Sequence, residues 1–236
     1  MVRREGADAI AAAFLRGDHC VPMEASGRGG MVRFPWSCGR WGVVRKCLRG
    51  GVFGGLLGDG YFLENRPKKE FFIHLEAEKR GLPVPKILGV AWSRRGPWFR
   101  GSIATELMEG ADLAVWRGFG QASDAETAVF TGCGRAIRAM HDAGIWHADL
   151  QVKNLFVAPD GIMLLDFDRA KIYKDIGIRL RSSNLLRLRR SMEKRGWPAG
   201  CFQAVVDGYG GIDIPPGMNW LHETLERVRA WTKKNR

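Results

Sequence analysis

The stretch His141-Asp-Ala-Gly-Ile-Trp-His147-Ala-Asp149-Leu-Gln-Val-Lys-Asn154, with Asp166-Phe167-Asp168 following twelve residues after Asn154, decides how this chain is read. An Asp followed five residues later by Asn places a carboxylate at the mouth of a loop and an amide oxygen at its far end. Next come Leu155-Phe-Val-Ala and Ile162-Met-Leu-Leu, two short apolar strands turned by Pro159-Asp160-Gly161. This spacing predicts a hairpin that returns Asp166 beside Asn154. Phosphoryl transfer asks for such a set: an ion with oxygen ligands to neutralise the nucleotide, and a carboxylate to orient or deprotonate the acceptor hydroxyl. On this reading ATP is the donor, Asp149 is the catalytic base, and Asn154 and Asp166 take Mg²⁺. A lone H-x-D is weak evidence, but joined to the Asn, the hairpin and D-F-D it becomes specific. The competing reading, a turn with capping acids, gives no reason for three metal-capable side chains to converge.

Outward from this stretch, the chain divides by periodicity. Ala7 to Arg16 reads as a short amphipathic helix, and Met31 to Trp36 and Trp41 to Leu48 as strands around a Ser37-Cys38-Gly39-Arg40 turn. Glu70 to Arg80 carries Phe71, Phe72, Leu75 and Ala77 at helical spacing and stops at Gly81 and Pro83. Ile87 to Trp92 and Ser102 to Leu107 are two further strands. From Ser123, with Glu126 as in a capping box, Val129, Phe130, Cys133, Ala136, Ile137 and Met140 keep a helical period. The expected class is α+β: a small N-terminal antiparallel sheet with one helix, then a mainly helical lobe. We expect one domain over 1–236, with an N-lobe of about 1–107, a hinge of about 105–110 and a C-lobe of 111–236.

The nucleotide side is read from sparser signals. Gly27-Arg28-Gly29-Gly30 stands where a glycine-rich turn lets backbone approach phosphates, the alternative being an ordinary flexible turn. Gly50-Gly51 and Gly54-Gly55 mark either an acceptor-side loop or simple turns. A cation for the phosphates is expected on the strand Gly42 to Leu48, paired with a helix carboxylate. Arg45 and Lys46 point to opposite faces of that strand, and the spacing does not choose between them. Glu70 is the carboxylate preferred, because it precedes the apolar helix face, while Glu76 and Glu78 read as solvated. Thr105-Glu106-Leu107-Met108-Glu109 is the expected hinge, where backbone groups of Glu106 and Met108 meet adenine; the alternative is a plain strand end. His147 is expected to secure the catalytic loop through backbone hydrogen bonds, and His141 to end the preceding helix. Most tryptophans read as core, although Trp98-Phe99 beside Arg94-Arg95 also suits lipid headgroups.

Charge narrows the partner. The formal net charge is +12, and ten Lys/Arg lie between Arg169 and Arg195 against Asp175 and Glu193, a local +8. Such an excess points to an anionic partner or, less informatively, to a solvated helix face. Five cysteines with no C-x-x-C spacing argue against a disulfide framework or metal knuckle and fit a reducing compartment. The early apolar run from Ala9 to Leu15 is too short to span a bilayer and lacks a following cleavage site, so the chain is expected to be cytosolic or peripheral.

Catalytic loop and second acid together resemble the protein-kinase superfamily, and Gln151, where protein kinases carry a lysine, is more like its small-molecule branch. More specifically, Val44-Arg45-Lys46-Cys47-Leu48-Arg49-Gly50-Gly51, Gly81-Leu-Pro-Val-Pro85, the W-H-A-D-L loop, the D-F-D-R ending and Asn184-Leu-Leu-Arg-Leu-Arg-Arg-Ser191 are jointly similar to bacterial 3-deoxy-D-manno-octulosonic acid (Kdo) kinases among the lipopolysaccharide core kinases. The resemblance runs from about Gly27 to Gly208. It implies a protein-kinase-like two-lobed fold and ATP-dependent, Mg²⁺-assisted phosphorylation of the 4-hydroxyl of Kdo on lipid A. It also implies peripheral attachment to an anionic membrane surface, the cytoplasmic face of the bacterial inner membrane, and no nucleic-acid partner. Within it, Arg45 takes the usual lysine's place and Glu70 follows Arg66. Alternatives are a heptose or other small-molecule kinase, or a non-catalytic basic module on a kinase scaffold.

Overall fold

A computed structural model describes residues 1–15, 19–23, 30–47, 60–118 and 123–212. The chain forms two compact units, Met1–Gly110 with Met163–Ala170, and Ala111–Ile162 with Lys171 onward.

The first unit is built on an antiparallel sheet. Helix α1 (Ala7–Phe14) precedes β1 (Val21–Met23), β2 (Met31–Ser37), β3 (Arg40–Cys47), β4 (Tyr61–Phe62), helix α2 (Arg66–Lys79), β5 (Ile87–Arg95) and β6 (Trp98–Glu106). The order is β1-β2-β3-β6-β4, with β5 also paired to β6. β2 and β3 turn tightly at Cys38–Gly39, and Gly39 takes φ 69°, a left-handed conformation that glycine adopts without steric cost. Alternation along the strands makes two cores. Val44, with Phe34, Trp36, Leu88 and Ala104, packs under Ile10 and Ala13 of α1, whereas Cys47, Ile103 and Val90 pack with Phe71 of α2. Gly101 lets α2 lie close, since a Cβ there would stand 2.8 Å from Pro67.

Helix α2 begins four residues before the predicted Glu70, because the Asn65 side chain accepts the Lys68 N–H at 3.1 Å and Pro67 fits the first turn. β5 and β6 also run further than predicted, to Arg95 and from Trp98, because the two strands continue as a ladder to their connecting turn. The expectation of core tryptophans holds for Trp36, at 2% exposure, but fails for Trp41 and Trp92, at 41% and 37%. Both lie under cations, Arg33 at 5.3 Å and Lys68 at 5.7 Å, so stacking with a charged neighbour takes the place of burial.

The second unit contains β7 (Ala111–Asp112), α3 (Leu113–Gly118), α4 (Ser123–Asp142), β8 (Ile145–Trp146), a 3₁₀ turn (Val152–Asn154), β9 (Leu155–Ala158), the start of β10 (Gly161–Leu164), β11 (Lys171–Ile172), α5 (Ile178–Glu193) and α6 (Ala199–Tyr209). β9 lies between β7 and β10, and β8 pairs with β11. Phe130, Cys133, Ile137, Met140, Leu185, Leu188 and Val205 fill the helical core. α4 and α6 meet backbone to backbone: a Cβ on Gly134 would stand 2.1 Å from the Val205 carbonyl oxygen, and one on Gly208 equally close to that of Thr131. No described helix is long and apolar enough to cross a membrane.

Candidate active site

In the first unit, strand parity separates the two candidate cations. Arg45 shares a face with Cys47 and looks toward α2, where its guanidinium donates to Glu70. Lys46 is exposed and lines an opening on the other face with Phe14, Arg100 and Ser102. Glu70 is 1% exposed, and its second oxygen accepts from the Cys47 thiol at 3.8 Å. The same Arg45 nitrogen lies 4.0 Å from Asp166. Burial pushes the Glu70 carboxyl up to about 7, against the pull of Arg45. Burial also opposes the charge on Arg45, but Glu70 and Asp166 raise its pKa and keep it protonated.

Asp166 sits at φ 65°, a left-handed conformation unusual for a residue with a side chain. Phe167 beside it is fully buried and meets the His74 ring edge-on at 5.5 Å; His74 in turn bonds the Pro85 carbonyl at 2.7 Å. Asp168, for which the sequence reading had no role, accepts from Arg66 at 3.2 Å, and Arg66 stacks over Tyr61 at 5.2 Å. Asp168 Oδ1 is buried and has no hydrogen-bond donor among the described residues. Burial, with the charge of Asp166, keeps the Asp168 carboxyl above its ordinary pKa, although Arg66, Arg169 and Arg45 oppose the shift. Glu78, expected to be solvated, instead pairs with Arg3 and accepts the Ile87 N–H at 3.1 Å, because the N-terminal residues run alongside β5. Glu106 ends β6, and its N–H donates to the Lys86 carbonyl at 2.8 Å. The Met108 N–H has no backbone acceptor among the described residues. Gly30 has open space where a Cβ would be, while Gly27, Gly29 and the glycines of 50–55 lie outside the described residues.

In the second unit the catalytic-loop stretch is held by its own chain and by α5. The His147 ring accepts the Asp149 N–H at 3.2 Å, and the Asn154 amide donates to the Asp149 carbonyl at 2.8 Å. That bond uses the Asn154 nitrogen and leaves its amide oxygen for a ligand. From α5, Asn184 accepts the His147 N–H at 3.1 Å and donates to the His147 carbonyl at 2.7 Å, and Ser191 accepts the Val152 N–H at 3.2 Å. His141 does more than end its helix: buried at 1% exposure, it bonds Tyr209 at 2.9 Å and Asn184 at 3.0 Å. The Asp149 carboxylate accepts from Gln151 at 2.6 Å and from Arg187, whose Nε stands at 2.9 Å. Burial alone would raise the Asp149 carboxyl, but hydrogen bonds from Gln151 and Arg187, with the charges of Arg187 and Lys153, keep it below its ordinary pKa.

In the sequence Arg187 stands only within the charge excess and the family-like stretch 184–191, with no role of its own. The available signal was the spacing of Asn184, Arg187 and Ser191, which puts three polar groups on one helix face. For a cation, the first unit offers the hard oxygens of Asp166 and the undonated Asp168 Oδ1, and the second unit offers the amide oxygen of Asn154, each a donor type that suits Mg²⁺. Among the described residues, no three His, Cys, Asp or Glu side chains group as a self-sufficient metal cage.

A sequence model described as the lipopolysaccharide kinase (Kdo/WaaP) family matches residues 16–209. The 3-deoxy-D-manno-octulosonic acid kinase of Xanthomonas oryzae pv. oryzae (strain PXO99A) is 35% identical over 225 residues, 91% of this chain and 82% of that protein. Its namesake in Xanthomonas euvesicatoria pv. vesicatoria is 35% identical over 189 residues, 75% of this chain and 72% of that one. That of Vibrio cholerae serotype O1 is 31% identical over 179 residues, 71% and 74%. Among solved structures, WaaP in complex with acyl carrier protein superposes with a TM-score of 0.56 at 16% identity, covering 96% of this chain and 94% of that one. This likeness bears on fold alone. With the antiparallel sheet and the helices described above, it makes the architecture α+β and protein-kinase-like.

Proposed function

The chain belongs to the lipopolysaccharide kinase (Kdo/WaaP) family, and from that premise we propose that it phosphorylates the 4-hydroxyl of Kdo on lipid A with ATP, during assembly of the lipopolysaccharide inner core. The observation that carries the reading is the Asp149 loop, fixed through main-chain bonds by His147, Asn154 and Asn184. A loop held so tightly can present a carboxylate to an acceptor hydroxyl without reorganisation.

On this proposal, the acceptor oxygen bonds to the γ-phosphorus as the bond from that phosphorus to its bridging oxygen breaks, and ADP leaves with the electron pair. Asp149 orients the hydroxyl and takes its proton. Bound Mg²⁺ would be held by Asn154 and Asp166 and would neutralise charge on the phosphate oxygens. Arg45, paired with Glu70, would face the nucleotide phosphates in preference to Lys46, whose side chain is on the other face of β3. Backbone groups of Glu106 and Met108 would take adenine, and Gly27, Gly29 and Gly30 would cover the phosphates. The enzyme would work peripherally at the cytoplasmic face of the inner membrane, with its exposed cations against the anionic lipid surface.

The test is turnover of Kdo-lipid A with Mg·ATP, read as product mass and the position of the new phosphate. Asp149→Ala is expected to lower kcat by roughly 10²-fold or more, in line with loss of a positioned acid–base group, while circular dichroism is unchanged. Normal turnover by this variant would sink the assignment. Phosphate on a heptose or another sugar would move the activity to the second reading.

A further inference from the structure

We propose that Arg187 is a positioning residue for this reaction: with Gln151 it grips Asp149 by Oδ1 alone and so presents Oδ2 to the acceptor hydroxyl. The inference rests on the role proposed for Asp149. Three donors converge on one oxygen. Arg187 Nε lies 2.9 Å from Oδ1, Arg187 Nη2 also bonds it, and Gln151 Nε2 lies 2.6 Å away. No donor among the described residues bonds Oδ2. A carboxylate held by only one oxygen has its torsion fixed and its other oxygen left for a ligand.

The cation is itself fixed by its helix. Asn184 and Ser191, one turn before Arg187 and one turn after it, bind the backbone of the Asp149 loop at His147 and at Val152. One face of α5 thus pins the loop on both sides of Asp149 and places the guanidinium between those pins. Other arginines of this helix are used differently. Arg189 forms an exposed pair with Glu193 within α5, and Arg181 reaches back to the exposed Asp142 at the end of α4, whereas Arg187 reaches the half-buried Asp149 in the catalytic-loop stretch. Gln151 is a neutral donor, so the charged hydrogen-bond donor to Oδ1 comes from α5. Arg presents two donors in a rigid fork, and Lys only a point charge.

The experiment is a kinetic double-mutant cycle on the full chain with Kdo-lipid A and Mg·ATP. Arg187→Met is expected to lower kcat roughly 10- to 100-fold, as a misplaced reacting group does, with KM for ATP and acceptor changed less than about twofold. Arg187→Lys should recover part of that loss. In an Asp149→Ala background, Arg187→Met should cost nothing further. A raised acceptor KM with kcat kept would overturn the proposal, since Arg187 would then bind substrate, and so would losses that multiply in the double variant. Should Arg187→Met not fold, Gln151→Leu carries the same expectation on kcat with a smaller loss. A wild-type chain inactive on Kdo-lipid A would fail the acceptor assignment instead. The pairing is then read from urea midpoints of the four proteins of the cycle, where coupling between positions 149 and 187 supports it and additivity overturns it.

Discussion

Arg45 and Lys46 are neighbours in sequence with opposite fates, because strand parity turns one toward α2 and the other away from it. Removing Arg45 would leave Glu70 buried without its partner, a change that costs about 3–5 kcal/mol when a buried pair is broken from one side. Arg45→Ala is therefore expected to lower the urea midpoint substantially, with Lys46→Ala shifting stability by no more than about 0.5 kcal/mol, as at other exposed positions. Equal shifts in the two denaturation curves would refute the distinction. The sequence by itself could not separate these residues, since Val43 and Val44 are equally apolar and the deciding partner is Glu70, 25 positions away. Asp149, Asn154 and Asp166 stand out as candidates in the sequence because their spacing is local and chemically specific. Arg187 does not, because its partner lies 38 positions earlier and nothing short-range marks the pair.

Elements were read best where a period or a turn residue declares them. The β2–β3 hairpin, α2 and the long helix α4 were legible from Gly39, from Gly81 and from the apolar spacing through Met140. The start of α2 was placed late, although Asn65 and Pro67 carried the signal. The role of α5 was hidden, because its cations dominate its composition while Asn184, Arg187 and Ser191 do the holding. His141 shows how elements are joined in the second unit: from α4 it bonds Asn184 of α5 and Tyr209 of α6. Burial lowers the pKa of His141 to about 4, and burial does the same for His74 in the first unit. The unfolded chain has both near 6.5 and so binds more protons between those values. Stability is then full above about pH 6.5 and falls as the pH drops toward 4, by about 2 kcal/mol per histidine at pH 5. Denaturant midpoints measured from pH 7.5 to 5 should show this decline, and His141→Gln should flatten part of it. An unchanged slope in that variant would remove His141 as a cause.

At the level of the whole chain, a net charge of +12 cannot be cancelled by internal pairing, since each ion pair removes one charge of either sign. Lys171, Lys174, Arg179 and Lys194 are exposed in the segment that carries most of the excess. Binding to vesicles with anionic lipid is expected at low salt and should weaken steeply toward about 0.5 M salt, where the Debye length falls below about 5 Å. Equal sedimentation with neutral vesicles would show that charge is not the attraction. A further consequence follows from the path of the chain, which leaves the first unit at Gly110 and returns to it for Met163–Ala170. The acid that faces Arg45 is therefore encoded more than fifty codons downstream of the sheet that carries Arg45. No single cut in the gene yields the first unit complete, so the two halves cannot be exchanged between lineages as separate cassettes, and a split-protein reporter cut at Gly110 would need the peptide 163–170 grafted back to restore that unit.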